Sequence, residues 1–341
     1  MNICLLGEYS GDLDEGMKKV SSYFAEELSK RHKVLTLDLK NITFDRNFWK
    51  VIKSFDPKII HYIHGPSIKS LMLLKFISIY CRNSKTVVSA MHPRFTRLSE
   101  QFIPLFKPDL TLVQSLKSEK IFNKLGYKTE FLPCGVDINK FVPISSMRKE
   151  ELREKYEIDK KKFVILHIGS IKQGRNVQVF EKLQIDNNQV IIVGAISPGV
   201  DKHVLERLEK SGCIVWTKYF ENIEEIYAMS DCYIFPVLDR SDVFGWAIAD
   251  SIEMPLSVLE AISCNLSIIA TRFGALPRAF EEGNGLFFFE EEGDLINIIN
   301  TIKKGVNVKM REQALAYSWD NISIKLEKIY LRIMNNGNDC I

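Results

Sequence analysis

The chain has 341 residues, about two domains at roughly 150 residues each, with 46% hydrophobic and 26% charged residues, which excludes a disordered or fibrous polypeptide. Its net charge of +3 is slight for a duplex nucleic-acid binder, so nucleic acid is not expected as a partner. Seven scattered cysteines, odd in number and never in CxxC spacing, argue against a disulfide framework or a zinc site and fit a reducing cytoplasm.

The first apolar run, in MNICLLGEYSGD, is too short for a secretory signal and reads as a strand that enters the fold directly. Met17, Val20, Phe24 and Leu28 then recur at three- and four-residue spacing, which predicts a helix with one face on the core. Runs rich in Val, Ile, Leu and Phe predict six strands in the first half, at 2–6, 33–38, 59–63, 86–90, 110–114 and 129–132. The stretch 68–81 is interrupted by Lys69 and Lys75 and falls short of the ~20 apolar residues of a spanning helix. The helix expected at 67–82 reads as core packing, with a peripheral rest on an anionic membrane as the alternative. The densely charged segment 145–163 reads as a linker or hinge helix with a solvated face. Six further strands are predicted at 163–168, 190–194, 213–217, 232–236, 267–271 and 285–289. Strands alternating with amphipathic helices define an α/β protein, and two such sets predict two doubly wound lobes with a cleft between them.

Ligands of such lobes lie beyond the carboxyl ends of the strands, so chemistry belongs in the strand-to-helix loops. The loop GEYSGDLDEG after the first strand carries Gly11 and Gly16, which suit close ligand approach or a plain turn. In HYIHG, His61 and His64 are three apart on a strand and face opposite ways, so they cannot share a metal and are expected to be structural. MHPRF follows a strand and puts His92 and Arg94 at its carboxyl end, where a histidine can donate to a sugar hydroxyl. The loop GSIKQGRN offers Lys172 and Arg175 for phosphate neutralisation or as ordinary surface cations. Asp239 and Asp242 in LDRSD are expected in a solvated loop. In SIEMPLSVLEAISCN a helix is predicted to start at Pro255, its free N–H groups suited to a diphosphate, with Glu253 just before it and Glu260 inside it. A common surface helix would explain the same pattern. No GxGxxG, Walker loop, GxSxG or HExxH occurs.

In order along the chain, these segments resemble the retaining GT-B glycosyltransferases of family 4. The most specific pieces are LPCGVDINKFVP, PLSVLEAISCNLSIIATRFGALP and YSWDNISIKLEKIY, and the likeness spans nearly the whole chain. The resemblance implies two Rossmann-like domains facing each other across a cleft: residues 1–145 on the acceptor side and 146–316 binding the donor. A terminal helix, about 317–335, packs back onto the first domain. It implies transfer of a hexosyl unit from an NDP-sugar, UDP- or GDP-linked, to a glycan or lipid-linked acceptor hydroxyl with retention, in glycan, glycolipid or polysaccharide assembly. No metal or other cofactor is implied; the expected location is cytoplasmic, with a peripheral place at the inner face of the membrane as the alternative. Other activities of the same fold are an NDP-sugar epimerase, a phosphorylase and an inactive nucleotide-sugar-binding subunit. By position, Glu260 matches the glutamate that holds the donor ribose, Arg175 the lysine of the phosphate clamp, with Lys172 as the substitute for its second charge, and His92 the histidine over the donor sugar. Gly16 matches the glycine of the N-terminal loop, and Pro255, Leu256 and Ser257 open the donor helix. Ser170 replaces an arginine of the clamp, and Asn265 stands where glycine is usual. The first glutamate of the family's E-x7-E falls on Ile252, which leaves Glu253 one residue late as the candidate catalytic carboxylate, beside His92 and Arg175.

Overall fold

The computed structural model describes residues 1–11, 16–41, 46–93, 95, 102–194, 200–239 and 251–335. These fall into two compact units, one of residues 1–135, 251–254 and 319–335, the other of 136–239 and 255–318.

The first unit is a parallel sheet of β1 (Asn2–Gly7), β2 (Lys33–Asp38), β3 (Ile59–His64), β4 (Lys85–Ala90), β5 (Leu110–Val113) and β6 (Thr129–Phe131), ordered β2-β1-β3-β4-β5-β6. The chain runs outward from β1 to β2, then returns past β1 to β3. A right-handed crossover in each direction puts helices on opposite faces. Accordingly α1 (Gly16–Ser29) covers one face, while α2 (Arg46–Phe55), α3 (Ile68–Tyr80) and α4 (Leu116–Lys124) cover the other. Strand alternation supplies both cores: Cys4, Leu6, Ile60, Tyr62, Val88 and Ala90 meet Phe48, Ile52, Leu74, Ile77 and Phe122 of the second group.

The second unit holds β7 (Phe163–Ile168), β8 (Asn188–Val193), β9 (Ile214–Trp216), β10 (Cys232–Phe235), β11 (Ser267–Ala270) and β12 (Leu286–Phe288), all parallel, in the order β12-β11-β10-β7-β8-β9. Its helices are α5 (Ser146–Lys155), α6 (Lys202–Lys210), α7 (Ile223–Ala228), α8 (Leu256–Ser263), α9 (Leu276–Ala279), α10 (Asp294–Lys303) and α11 (Met310–Ala314). All twelve predicted strands are present, with ends displaced by no more than two residues.

The segment 145–163, expected as a linker or hinge helix, forms α5 and lies in the second unit, to which residues from 146 onward were expected to belong. Arg153 of α5 is buried there, donating to the Met229, Lys160 and Lys162 carbonyls and to Asp231, which also accepts from the Val164 N–H. The boundary falls after residue 135 rather than 145, and residues 251–254, expected with the second domain, lie with the first. The terminal helix α12 (Trp319–Asn335) is part of the first unit and packs on α1, with Trp319 stacked on Tyr23 at 4.8 Å and edge-on to Phe24.

Two histidines are almost wholly enclosed, His61 in the first unit and His167 in the second. His61 is enclosed between Tyr330 Oη (2.6 Å) and Ser89 Oγ (2.8 Å), and burial pushes its pKa from 6.5 down to about 3. His167 donates from Nδ1 to the Ile234 carbonyl; burial, opposed by that bond and aided by the charge of Arg175, brings it to about 4. Both folded values lie below the unfolded 6.5, so the unfolded chain takes up protons first as pH falls. Stability is complete above pH ~6.5 and declines below it by about 1.4 kcal/mol per pH unit for each histidine. Urea denaturation should therefore show each unit weakened by roughly 2 kcal/mol between pH 7 and 5, above most carboxylate titration. Midpoints unchanged over that interval would contradict the assignment.

Candidate active site

In the second unit the strand order reverses between β7 and β10, the position in an open parallel sheet at which a ligand is expected. The loop after β7 carries Lys172 and Arg175, both half-buried, on a turn closed by the Arg175 N–H to Lys172 carbonyl bond at 3.0 Å. Helix α8, reached from β10, begins at Leu256 with Pro255 as its N-cap, one residue later than predicted. Proline offers no side-chain acceptor, and no side chain caps the first turn, so its N–H groups and positive dipole end point out of the helix. Seven of its eight residues are buried, which the apolar face alone did not imply.

Glu260 on α8 is only 6% exposed, and its Oε2 accepts from the Tyr227 hydroxyl at 2.7 Å. Burial first, then the charge of Glu260, push the Tyr227 ionisation well above its ordinary value, so the phenol stays protonated and donates. Tyr233 on β10 donates to Ser257 Oγ at 2.7 Å, and the fields of both Glu260 and Arg175 reach it. His167, with Nδ1–H committed to Ile234, turns a buried Nε2 lone pair with no hydrogen-bond partner toward Gly169. A methyl on Gly169 would lie 3.1 Å from that nitrogen. Thus Lys172, Arg175, Pro255, Leu256, Ser257 and Glu260 gather in one unit, around Tyr227, Tyr233 and His167, which the sequence reading did not single out. The tyrosines gave no signal because Tyr233 lies inside a predicted strand and Tyr227 in α7, which no motif marked.

Asn265 closes α8 in the left-handed region, at φ 58°. Its side chain also donates to the Val308 carbonyl and accepts from the Arg311 N–H, both at 3.1 Å, anchoring α11 in a way glycine cannot.

The first unit holds Gly16, His92 and Glu253. Gly16 opens α1 behind the loop from β1. Residues 251–254 form a strap across the carboxyl ends of β4 and β5. The Glu253 N–H donates to the Met91 carbonyl, the Met254 N–H to Gln114 Oε1, and His92 Nδ1–H to the Ser251 carbonyl at 2.9 Å. That bond fixes the tautomer of a neutral His92, whose Nδ1 carries the proton and whose Nε2 carries the lone pair. Gly65 is required beside it, since a Cβ there would stand 2.1 Å from the His92 carbonyl oxygen.

Glu253 is 4% exposed and has a task that the motif did not suggest. Its Oε2 accepts from the Ser115 N–H at 3.1 Å and its Oε1 from the Ser118 hydroxyl, at the N-terminus of α4. Beside the reversal point of the first sheet, between β1 and β3, His64 Nε2 lies 3.1 Å from Glu8 Oε1, with Lys40 Nζ 3.9 Å from that carboxylate, another pair missed although His64 ends a strand. Asp239 lies beyond β10, whereas Arg94 and Asp242 lie outside the described residues.

The family model described as glycosyl transferases group 1 matches residues 162–304, within the second unit. The sulfoquinovosyl transferase SQD2 of Arabidopsis thaliana is 25% identical over 309 residues, covering 81% of this chain but only 56% of the relative. The chain thus spans little more than half the length of that relative. A sucrose-phosphate synthase from Thermosynechococcus elongatus superposes with a TM-score of 0.78 at 14% identity, covering 98% of this chain and 99% of the other. Anabaena HepE in complex with UDP and glucose gives a TM-score of 0.72 at 17% identity over 96% and 99% of the two chains. The two six-stranded parallel sheets with their helices are those of GT-B glycosyltransferase structures.

Proposed function

We propose that this protein is a glycosyltransferase that moves a sugar from a UDP- or GDP-linked donor to a hydroxyl of a glycan or lipid-linked acceptor, with retention at the anomeric carbon. The observation that carries it is the set of groups on the second unit beside its reversal point: an uncapped helix start at Leu256, two cations at Lys172 and Arg175, and a buried carboxylate at Glu260 oriented by Tyr227. That set matches a nucleoside diphosphate, with anion acceptors for the phosphates and a carboxylate for ribose hydroxyls. The family match over residues 162–304, and a structure of the same fold that holds UDP, support the reading.

The bond from the anomeric carbon to the diphosphate breaks, the bond to the acceptor oxygen forms, and the acceptor proton passes to a base or to the leaving phosphate. Arg175, Lys172 and the start of α8 stabilise the negative charge that gathers on the diphosphate, so the chemistry needs no metal. The test is donor consumption with UDP-, GDP- and ADP-sugars, followed by NMR of the new linkage; an inverted anomeric centre would sink the retaining assignment. Glu260→Ala should raise the donor KM about 10- to 100-fold with a smaller change in kcat, as expected for loss of a charged hydrogen bond. An unchanged KM would remove Glu260 from the site.

A second reading, a nucleotide-sugar-binding subunit without turnover, draws on Ile252 at the family's first glutamate position and on the engagement of Glu253 with α4. Tight NDP binding with no product across donors and acceptors would favour it.

A further inference from the structure

The small net charge of +3 conceals a strong local excess. Between Arg46 and Thr86 the sequence has eight lysines and arginines against one acid, a net +7, so the rest of the chain is net negative. Lys58 and Lys85 are paired with Asp56 and Asp109. Arg46, Lys50, Lys53, Lys69, Lys75 and Arg82 are exposed and, among the described residues, have no ion pair.

Lys69 and Lys75 share a helix with an apolar stripe, and Lys53 lies over its end. Helix α3 buries Leu71, Leu74 and Ile77 against the sheet, as core packing requires, yet its outer face is also apolar. Met72, Phe76 and Ile79 follow at helical spacing on that outer face, with Phe76 57% and Ile79 58% exposed, and Lys69 and Lys75 alongside. The end of α3 meets α2 edge to face, Trp49 on Tyr80 at 5.1 Å, with Lys53 Nζ 5.3 Å above the Tyr80 ring. Val51 of α2 is exposed as well. An ordinary solvated helix would be polar on this side. No helix among the described residues is long and apolar enough to cross a membrane.

From this combination we infer that the α2–α3 face of the first unit docks on an anionic lipid bilayer. Phe76, Ile79 and Met72 enter the boundary between headgroups and chains, Trp49 and Tyr80 sit at headgroup level, and the six cations meet lipid phosphates. A nucleic acid would use the cations but leaves an apolar stripe without a partner, and a purely apolar partner leaves the cations without one. The inference does not depend on the catalytic reading, because docking needs neither donor nor transfer.

The experiment is vesicle co-sedimentation of the full chain, with phosphatidylglycerol–phosphatidylcholine vesicles against phosphatidylcholine alone, at low and high salt. The expected result is binding to the anionic vesicles at least about tenfold stronger than to neutral ones, weakening with salt. Phe76→Ser with Ile79→Ser, and separately Lys69→Glu with Lys75→Glu, should each lower that binding at least about tenfold. All four side chains are exposed, so the melting temperature should hold, and matched melting curves verify that the variants are folded. Equal binding to neutral and anionic vesicles, or unaltered binding by both folded variants, overturns the inference. So does a wild type that ignores vesicles but binds RNA, which would reassign the charge to polyanions.

Discussion

Replacing Arg175 with alanine is expected to lower kcat for glycosyl transfer about 10²- to 10³-fold, the usual loss when one donor to a developing anion is removed. The argument rests on where the residue sits. Arg175 closes the turn after β7 at the point where the second sheet reverses, and its field reaches both His167 and Tyr233. Tyr233 in turn holds Ser257 at the start of α8. A diphosphate placed on that helix start gains charge as the glycosyl bond breaks, so the guanidinium contributes more in the transition state than in the ground state. The loss should therefore appear in kcat and kcat/KM together, with little change in donor affinity. Arg175→Lys keeps the charge without the planar fork and should fall between the two. Steady-state donor consumption and single-turnover measurements decide it, and undiminished transfer by Arg175→Ala would remove the residue from the chemistry.

The second large effect concerns Glu253, and it is one of stability. Glu253→Ala leaves the Ser115 N–H and the Ser118 hydroxyl without their acceptor in a buried setting, and removes a negative charge from the N-terminus of α4. Two stranded donors cost roughly 2–4 kcal/mol, and the amides of α4 should lose protection from hydrogen exchange. Glu253→Gln separates this structural task from a chemical one. Its amide oxygen accepts from the Ser115 N–H, and the Ser118 hydroxyl can rotate to accept from the new NH₂, so most of the stability should survive. Retained kcat in a stable Glu253→Gln protein would make Glu253 a residue that holds the strap and α4 in place. A collapse of kcat at intact stability would restore it to the chemistry.

Much of the fold was legible because burial writes itself into sequence. A strand covered on both faces must be apolar along its length, and twelve such runs located twelve strands. The positions of Lys172, Arg175 and the α8 segment were legible for a related reason, since parallel sheets place loops and helix starts at one edge. The left-handed backbone at Asn265 agrees with a position where the resemblance expects glycine, because few side chains tolerate it.

What remained hidden depends on pairs distant in sequence. Nothing local in IEMP says that Glu253 accepts hydrogen bonds from residues more than a hundred positions earlier, nor that the strap it belongs to lies with the first unit. The Tyr227–Glu260 bond, the tautomer of His92 and the Glu8–His64 pair are likewise set by which elements become neighbours. The sequence by itself determined the two sheets, their helices and the loops that carry charge, because periodicity and burial are properties of single segments. Only the tertiary structure decided which carboxylate is committed to a helix end and which apolar face of α3 stays in water, because hydrogen bonds and exposure belong to pairs of segments brought together by folding.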